Sequence, residues 1–385
     1  MARWQWMTAG ESHGPGLVGI VDGVPALVPM TTALINADLS RRQKGYGRGG
    51  RMAIEKDQVE IFGGVRHGMT LGSPVALLVK NRDFANWAES MSPEEGTPDR
   101  VVTRPRPGHA DLVGGVKYQH RDLRNVLERA SARETTMRVA LGAVARGFLR
   151  ELGIEVRGHV TSIGDIHVPA QDYTLAEIEG TENSPVRVVD KDSEEAMQRA
   201  IDRSKEAGDT LGGTFEVKAF GLPVGLGSYV QWHRRIEGAL AQALLSIPAM
   251  KAVEVGAGFS QADVPGSAVH DAIWWEKGQG FTRLSNRAGG IEGGITTGMP
   301  LVVRVAMKPL STLLAPLGSF DIESKEPFLA QVERSDVTAV PAAVVVGEAM
   351  VMHVLADALL EKFGGDSLPE ILERVHRWGA YGREY

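Results

Sequence analysis

The hydrophobic and polar positions of the chain follow two periods, one typical of strands and the other typical of helices. Residues 214–220 alternate polar and apolar side chains, as a half-buried strand does. Between Met137 and Leu149 apolar residues recur every three or four positions, which predicts a helix over 122–152 with a break near Ser131. The same patterns predict strands at 5–8, 17–21, 58–62, 75–79, 214–220 and 301–306, and helices at 32–42, 122–152, 192–207, 236–247 and 341–363.

Capping residues mark the start of two of these helices. Thr31 or Thr32 can accept a hydrogen bond from the first helical turn that follows it. Asp192, three residues before Glu195, resembles a capping box and predicts a helix start there. By contrast, residues 286–300 are rich in glycine and are predicted to be almost entirely loop.

The longest apolar stretch begins at Pro341, which suits the first position of a helix, and ends before Gly364. We predict that it is the last long helix of the chain. Because ionisable side chains interrupt it, we expect a helix buried in the protein rather than a membrane span. These side chains are Glu348, His353, Asp357 and Glu361.

Composition limits the class of protein. The chain has 385 residues, of which 43% are hydrophobic, enough to bury a sizeable core. Its net charge of −6 opposes nucleic-acid binding, which usually requires a basic domain. It has no cysteine, which excludes disulfides and thiolate chemistry and fits a reducing compartment. The first residues lack the apolar core of a signal peptide, so we expect a cytoplasmic protein without a membrane or nucleic-acid partner.

Arginine and glycine occur together in four segments that are too irregular to be helix faces. Guanidinium groups bind carboxylate and phosphate through paired hydrogen bonds, and glycine lets backbone approach a ligand closely. The segments therefore predict a site for a small, highly charged anion. Because one pocket built from all of them would need most of the chain, we expect a single domain over residues 1–385. The segments are 41–51, 104–111, 129–138 and 333–336.

Two familiar motifs occur in the wrong context. Residues 10–14 match the G-x-S-x-G nucleophile elbow, but a glycine–proline turn and a predicted strand follow where the elbow needs a helix. Residues 45–50 match the dinucleotide fingerprint, but they follow a predicted helix and contain Arg48. We therefore reject a serine hydrolase and a Rossmann nucleotide site.

Of the ten histidines, His13 and His109 differ from the rest because each lies in a glycine-containing loop. A histidine beside arginines, as His109 is, could deliver a proton to a leaving phosphate. We predict no metal site, because no histidine or carboxylate spacing is typical of one. The default interpretation of the others is a surface or core position, as for His67, His159, His167, His233 and His376.

Taken together, the motifs strongly resemble the chorismate synthase family, in matching order and spacing from about residue 3 to about residue 363. The resemblance implies an α+β fold, specifically a single-domain β-α-β sandwich with central helices packed between antiparallel sheets. It also implies a homotetramer arranged as a dimer of dimers. The motifs that carry the resemblance are 10–14, 41–52, 106–111, 131–135 and 333–336.

The resemblance implies a lyase of the shikimate pathway. The family removes phosphate and the C6 hydrogen from 5-enolpyruvylshikimate 3-phosphate by anti-1,4-elimination, which gives chorismate, and it needs reduced FMN although the reaction has no net redox change. Two alternatives stay open from the residues alone. One is a non-flavin enzyme acting on another phosphorylated sugar acid, and the other is a nucleic-acid-binding protein using residues 48–51, which the net charge opposes.

Carried over by position, the resemblance implies His13, His109 and Asp336 as catalytic residues, with Ser12 assisting Asp336 or His13. His109 is the implied proton donor near the leaving phosphate or the enolpyruvyl group. His13 is implied to keep the flavin in its reactive protonation state, and Asp336 to remove the C6 hydrogen together with flavin N5. The implied substrate-binding residues are Arg42, Arg48, Arg51, Arg106 and Arg133.

The resemblance also implies the cofactor contacts. Some family members carry asparagine where this chain has Pro248, so a side-chain contact to the flavin would be replaced there by backbone contacts. Arg42 and Arg48 are associated in the family with a nicotinamide phosphate, which makes NADPH a candidate reductant. The implied FMN-binding residues are Arg129, Ala130, Ser131, Pro248, Ala249, Gly293, Lys308, Pro309, Leu310, Ser311, Thr312 and Arg334.

Overall fold

Two antiparallel sheets hold the longer strands of the computed structural model, which describes residues 3–49, 56–333 and 335–385. The first sheet has the order β1 (Gln5–Ala9), β2 (Gly16–Asp22), β6 (Val75–Lys80), β3 (Val59–Gly63). The second has the order β10 (Met250–Val255), β15 (Leu301–Met307), β9 (Gly213–Phe220), β7 (Glu155–Ile163), β8 (Ile166–His167). Short hairpins pair β4 (Val65–Arg66) with β5 (Met69–Thr70), β11 (Ile273–Glu276) with β12 (Gly280–Arg283), β13 (Ile291–Glu292) with β14 (Ile295–Thr296), and β16 (Gly318–Phe320) with β17 (Pro327–Leu329).

The described helices range from one turn to more than six turns. They are α1 (Thr32–Gln43), α2 (Asp111–Tyr118), α3 (Arg124–Ala130), α4 (Thr135–Glu151), α5 (Leu175–Gly180), α6 (Lys191–Glu206), α7 (Ile236–Leu245), α8 (Gly266–Val269), α9 (Val340–Phe363) and α10 (Leu368–Glu384). Single 3₁₀ turns lie at Arg82–Asn86, Ala132–Glu134, Thr181–Asn183, Trp232–Arg234 and Gly258–Asp263.

Helices α4 and α9 pack on one another and connect the two sheets. Helix α4 contacts β2 and β6 of the first sheet, whereas α9 contacts β7 and β9 of the second. The two helices approach closely where Gly142 faces Ala349, because a Cβ on Gly142 would lie 2.5 Å from the Ala349 Cβ. One connected apolar core includes residues from Trp4 to Ile371. The predicted α+β class is therefore confirmed.

The structure confirms one predicted helix cap and contradicts the other. Thr31 is the N-cap of α1, and its hydroxyl accepts from Leu34 N at 3.3 Å, as the sequence predicts. Helix α6 instead begins at Lys191, and Asp190 is its cap, accepting from Ser193 N at 2.7 Å. The prediction of Asp192 as cap was wrong because an equally good acceptor lies two residues earlier.

Of the predictions about where helices end, those at Ser131 and Gly364 are confirmed and the one about the last long helix is wrong. The predicted break near Ser131 is confirmed, since α3 ends at Ala130 and Ser131 is extended. Helix α9 ends before Gly364 as predicted, but it is not the last long helix, because α10 follows it. Gly364 and Gly365 have φ of +61° and +107° and turn the chain, after which a helix restarts.

Helix α9 is long and apolar enough to cross a membrane by length and composition alone. Most of it is buried inside the protein, where it packs on α1, α4, α7 and the second sheet. It is therefore a core helix, as the sequence predicts.

A buried group of charges fixes the helices beneath the arginine-rich loop that follows α1. Glu348 of α9 is fully buried and accepts from Arg41 at 2.7 and 2.8 Å and from Arg146 at 2.6 Å. Asp38 accepts from the same two arginines at 2.9 and 2.7 Å. Burial opposes ionisation of Glu348, but the two guanidinium groups hold its pKa well below the ordinary value. Helices α1, α4 and α9 are thereby locked in one arrangement, which sets where Arg42 lies.

The buried His353 of α9 allows a prediction of how the free energy of unfolding depends on pH. Its Nδ1 accepts from Trp4 Nε1 at 3.0 Å, and burial lowers the pKa of His353 to about 4. Between pH 6.5 and 4 the unfolded state binds a proton that the folded state does not, so the free energy of unfolding falls as the pH falls. We expect a loss of about 3 kcal/mol across this window from His353 alone.

Urea unfolding at several pH values measures this dependence. His353→Gln should have a shallower fall in the free energy of unfolding between pH 6.5 and 4 than the parent protein. His376→Gln is the control, because His376 is exposed on α10. Parallel curves for the parent and the His353 variant would contradict the assignment.

Candidate functional site

The loop between β1 and β2 presents Ser12 and His13, and buried side chains from two other segments hold it. Asn81, directly after β6, donates from Nδ2 to two carbonyl oxygens of this loop at 3.1 and 2.8 Å. The Ser12 N–H donates to the Glu128 carbonyl oxygen at 3.0 Å, and Ser12 itself is buried. The loop therefore has a fixed conformation set by α3 and by the end of β6.

The His13 ring lies between a carboxylate and an aromatic ring. Its Nδ1 lies 2.9 Å from Glu128 Oε1, and its backbone N–H donates to Glu128 Oε2 at 2.8 Å. Trp87 stacks on the ring with centroids 4.0 Å apart. Burial opposes ionisation of Glu128, but the hydrogen bonds from His13 and the charge of Arg124 hold the pKa of Glu128 below its ordinary value.

A second group of residues, here called the arginine centre, contains Arg42, Arg48 and Arg133 with Asp57 and Asp336. Arg133 donates to Asp57 Oδ1 at 2.6 Å, and Arg42 lies 3.7 Å from Asp57 Oδ2. Arg133 also donates to the Asn81 Oδ1 at 3.0 and 2.9 Å. Asn81 therefore connects the arginine centre directly to the loop that carries His13.

Arg48 and Asp336 complete the arginine centre. Arg48 Nη1 lies 3.1 Å from Asp336 Oδ2, and Gly49 N donates to Asp336 Oδ1 at 2.6 Å. Burial lowers the pKa of the Arg42 guanidinium to about 10, and repulsion from Arg48 and Arg133 acts in the same direction, while Asp57 and Asp336 oppose it. The centre thus combines three arginines with two carboxylates, of which Arg48 and Asp336 are half-buried and the others buried, and it is suited to an anion.

A third group surrounds Asp111, the first residue of α2. The fully buried Asp111 accepts from Arg106 Nε at 2.8 Å and contacts His109 Nδ1 at 2.5 Å. Arg106 Nη1 donates to Thr312 Oγ1 at 2.9 Å, and the Lys308 ammonium donates to the Gly108 carbonyl oxygen. The segment before α2 and the segment after β15 therefore meet at His109.

The groups around His13 and His109 belong to neighbouring helices. Helices α2 and α3 pack so closely that a Cβ on Gly114 would lie 2.4 Å from Val126 Cγ1. Glu333, three residues before Asp336, lies 3.8 Å from the guanidinium of Arg124, the α3 residue that also holds Glu128. The loop of Asp336 thus approaches the helix that supports His13.

Comparison with known proteins decides the family. The family model for chorismate synthase matches residues 4–360 of the chain. The chain belongs to the chorismate synthase family.

Relatives in this family match almost the whole chain. It is 58% identical over 381 residues to the chorismate synthase of Moorella thermoacetica, covering 99% of both sequences. It is 56% identical over 384 residues to that of Desulforamulus reducens, again covering 99% of both. A solved crystal structure of chorismate synthase matches it with a TM-score of 0.82 and 45% identity, covering 99% of each chain. Sequence and fold therefore agree on a chorismate synthase family lyase.

The family resemblance implies FMN contacts in several segments, and the structure brings some of them together. Lys308 N donates to the Ala249 carbonyl oxygen at 3.0 Å, and Ala249 has a φ of +71° next to Pro248. Leu310 accepts at its carbonyl oxygen from Thr210 at 2.8 Å. The segment 308–312 therefore lies beside residues 248–249 and, through Thr312, beside the group around His109.

Gly293 lies elsewhere within this chain. It forms the turn of the β13–β14 hairpin, before the start of β15, whereas Lys308 follows the end of β15. A strand of seven residues is about 20 Å long, so Gly293 is well separated from Lys308. Arg51 and Arg334 lie outside the described residues.

The residues of the chorismate synthase family site near Lys308 fit the phosphate end of FMN. Lys308 offers an ammonium group, and Ser311 and Thr312 offer hydroxyl groups, all within one turn of chain after β15. The Lys308 ammonium lies close to the backbone of Gly108, which has a φ of +79°. A Cβ at Gly108 would lie 3.2 Å from the Lys308 Nζ, so glycine makes room for the ammonium group. A cation with adjacent hydroxyl donors is the chemistry that a phosphate group needs.

Arg129, another of the implied flavin contacts, binds the protein itself. Its guanidinium donates to the Thr8 carbonyl and hydroxyl oxygens at 3.0 and 2.8 Å and to the Gly10 carbonyl oxygen at 3.0 Å. It thereby ties the end of β1 to α3. Ala130 and Ser131 follow at the end of that helix, and the Ser131 hydroxyl accepts from Arg133 N at 3.2 Å.

Four polar residues that organise this chorismate synthase family site were not predicted from the sequence. Asp111 lies inside the 104–111 segment, and its position near two basic residues, Arg106 and His109, is a signal that could have revealed it. Glu128 directly precedes the 129–138 segment, whereas Asp57 and Asn81 lie in no motif that would mark them. Only the fold shows that they bind Arg133, the 10–16 loop and His13.

Proposed function

We propose that this chain catalyses the anti-1,4-elimination of phosphate from 5-enolpyruvylshikimate 3-phosphate to give chorismate, with reduced FMN as cofactor. The observation that carries the proposal is the burial of Arg42 among like charges in the arginine centre. Buried positive charge is costly unless negative partners balance it. A substrate with two carboxylates and one phosphate would supply that balance.

We propose Arg42, Arg48, Arg51, Arg106 and Arg133 as counterions of the substrate. Arg42 and Arg133 lie in the arginine centre together with Arg48, which pairs with Asp336. Arg42, Arg106 and Arg133 direct several of their donors to protein acceptors, so they would contribute charge more than direct hydrogen bonds.

His109 would provide the proton near the leaving phosphate or the enolpyruvyl group. Its side chain is 17% exposed, so it reaches the surface of the site while Asp111 holds its other side. His13 would hold the protonation state on which the cofactor depends, with Ser12 beside it. These roles suit imidazole groups, which exchange protons near neutral pH.

Asp336 would work together with the flavin in removing the C6 hydrogen, which the carboxylate would accept as a proton. That hydrogen is not acidified by an adjacent carbonyl group, so a carboxylate base alone is too weak to remove it. When bound, reduced FMN supplies the transient electron density that departure of phosphate requires. The contacts of Asp336 with Arg48 and Gly49 hold its carboxylate in one orientation at the arginine centre.

We also propose which residues hold the cofactors. Lys308, Ser311 and Thr312 would bind the FMN phosphate, and the remaining implied contacts would line the rest of the flavin. If NADPH reduces the flavin in this protein, Arg42 and Arg48 would bind its phosphate. Both anions need the same guanidinium groups, so the reductant and the substrate would compete for them.

An anaerobic assay tests the proposed reaction. We expect the purified protein to release phosphate from 5-enolpyruvylshikimate 3-phosphate and form chorismate only when FMN and a chemical reductant are both present. Oxidised FMN without reductant is the control. Phosphate release that does not need flavin would contradict the proposal and would favour a non-flavin lyase.

We further propose that the protein is a cytoplasmic homotetramer, in which each chain is one domain with a β-α-β sandwich fold. The contacts of α4 with the first sheet and of α9 with the second support the sandwich, and the single connected core supports one domain. The family and the buried position of α9 support a cytoplasmic location without a membrane partner.

The surface area of the chain supports self-association. The chain exposes 19007 Å², whereas a compact monomer of 41.4 kDa would expose about 15,000 Å². The excess lies in the range that obligate interfaces bury. The outer face of the first sheet is apolar where it should be polar, with Met7 76%, Ile20 47% and Phe62 86% exposed. A second copy stacked on this face would cover it.

A dimer of dimers needs two different self-complementary surfaces. The β11–β12 hairpin offers the second, because Trp274 and Trp275 are each 53% exposed and Phe281 is 49% exposed. We expect sedimentation equilibrium to give four times the chain mass of 41.4 kDa. Met7→Lys with Ile20→Lys should reduce the mass to that of a dimer. A tetramer in this double variant would place the interface elsewhere.

A further inference from the structure

Each of the two proposed catalytic histidines lies against a buried carboxylate, and both carboxylates are held in the same way. Glu128 is 3% exposed and Asp111 is fully buried. His13 Nδ1 lies 2.9 Å from Glu128 Oε1, and His109 Nδ1 lies 2.5 Å from Asp111 Oδ1. A guanidinium group donates to each carboxylate, at 3.2 Å in the first pair and 2.8 Å in the second.

The carboxylates determine which nitrogen of each ring carries a proton. An ionised carboxylate only accepts hydrogen bonds, so the Nδ1 that faces it must donate. At His109 the Nη2 of Arg106 also lies 3.0 Å from Nδ1, but it donates to Asp111 Oδ1 at 3.1 Å, and the shorter contact of Nδ1, 2.5 Å, is with the carboxylate. The hydrogen bonds from His109 and Arg106 hold the pKa of Asp111 well below its ordinary value despite burial, and those from His13 lower the pKa of Glu128. Both carboxylates are therefore ionised at neutral pH, and Nε2 is left as the nitrogen that exchanges a proton.

Each carboxylate also fixes the backbone that carries its histidine. Glu128 accepts from the His13 N–H at 2.8 Å, and Asp111 accepts from the Arg106 N–H at 3.1 Å. Glu128 lies on α3 and Asp111 on α2, and these two helices pack together. One helix pair thus orients both imidazole rings.

We infer that Glu128 and Asp111 are positioning residues for the elimination, each holding its histidine in the Nδ1–H form with Nε2 directed to the reaction. This inference rests on the proposed function of His13 and His109. At His109, the Nε2–H bond breaks as the proton passes to the departing group, and the ring remains as the neutral Nδ1–H form bound to Asp111. The carboxylate stabilises the protonated ring before the transfer and orients the neutral ring after it.

Isosteric amides test the inference. Glu128→Gln and Asp111→Asn keep the size of each side chain, but each amide can present an N–H to Nδ1 and so favour the opposite ring form. We expect kcat to fall tenfold to a thousandfold with saturating reduced FMN, while KM changes less than threefold. For Asp111→Asn the pH optimum of kcat should move to lower pH, because the protonated ring loses its carboxylate partner.

Glu134→Gln is the matched control. Glu134 is also buried and also pairs with an arginine, Arg138 at 3.0 Å. Among the residues that the structure describes, no histidine forms a hydrogen bond or ion pair with it. It should keep kcat within twofold and leave the pH profile unchanged. Equal losses in Glu134→Gln and Glu128→Gln, or unchanged kcat and pH profile in both amide variants, would overturn the inference.

A second measurement keeps the inference testable if an amide variant fails to fold. Nitrogen-15 NMR of histidine-labelled parent protein, assigned with His13→Gln and His109→Gln, distinguishes Nδ1–H from Nε2–H rings. We expect Nδ1–H at both positions in the neutral ring, and Nε2–H at either would overturn the inference there. Because this measurement needs no turnover, it stands apart from the assay for the elimination, which tests the proposed function itself.

Discussion

Replacing His109 with alanine is expected to slow turnover by about a hundredfold or more, in line with the loss of a general acid. The ring lies where the segment before α2 meets Thr312 and Lys308, the residues proposed to bind the cofactor phosphate. Asp111 is held by Arg106 as well as by His109, so its carboxylate keeps a partner when the ring is removed. The fold should therefore survive the substitution.

Single-turnover phosphate release in the presence of pre-reduced FMN measures this effect without interference from product release. FMN affinity, measured by flavin fluorescence, should change little. His376→Ala is the control, because its exposed ring lies on α10, away from the proposed site. Parent-like turnover in the His109 variant would show that the proton comes from another group.

The parts of the fold that local chemistry decides could be predicted from the sequence. Thr31 was found because a hydroxyl before an apolar helical pattern is a local feature. The break at Ser131 was found because arginine and small residues interrupt that pattern. Helix α10 was missed because its buried positions, Leu368 and Ile371, are few, and most of its surface is polar.

In the candidate site, too, local motifs could be predicted from the sequence and contacts between distant residues could not. The arginine and histidine motifs predicted which segments contribute to the candidate site, because each segment carries its own composition. Their partners Asp57 and Asn81 could not be predicted, since they are single polar residues whose contacts with Arg133 span 76 and 52 positions. Such contacts depend on how β6, α4 and the segment before β3 pack, and no local pattern records that.

The buried partners of the arginines also show that the arginines have different roles. From the sequence, the arginines of the loops are favoured as binding residues, but their composition does not show which of them the protein itself holds. In the structure, Arg133 and Arg106 are tied to buried acceptors, while Arg41 and Arg146 neutralise Glu348 in the core. Arg133 and Arg42 share Asp57, and the Arg41–Glu348 pair fixes the end of α1 that carries Arg42, so part of the arginine content serves to position Arg42.

Replacing Asp336 with asparagine is expected to lower turnover by about 10² to 10⁴ while binding of FMN and substrate is kept. Asparagine retains an acceptor for Gly49 N, which donates to Asp336 Oδ1 at 2.6 Å, so the loop should keep its conformation. It loses the negative charge that pairs with Arg48 and the ability to accept the C6 hydrogen. Because the arginine centre gains net positive charge, the polyanionic substrate should bind at least as tightly as before.

The isotope effect at C6 distinguishes a catalytic role of Asp336 from a structural one. With substrate deuterated at C6, the variant should show a larger kinetic isotope effect than the parent, because removal of this hydrogen becomes the slower step. Asp202→Asn is the control, since Asp202 accepts from Tyr46 at 3.0 Å near the same loop without belonging to the arginine centre. Loss of FMN or substrate binding in the Asp336 variant would make the residue structural, and an unchanged isotope effect with normal turnover would move the base to another group.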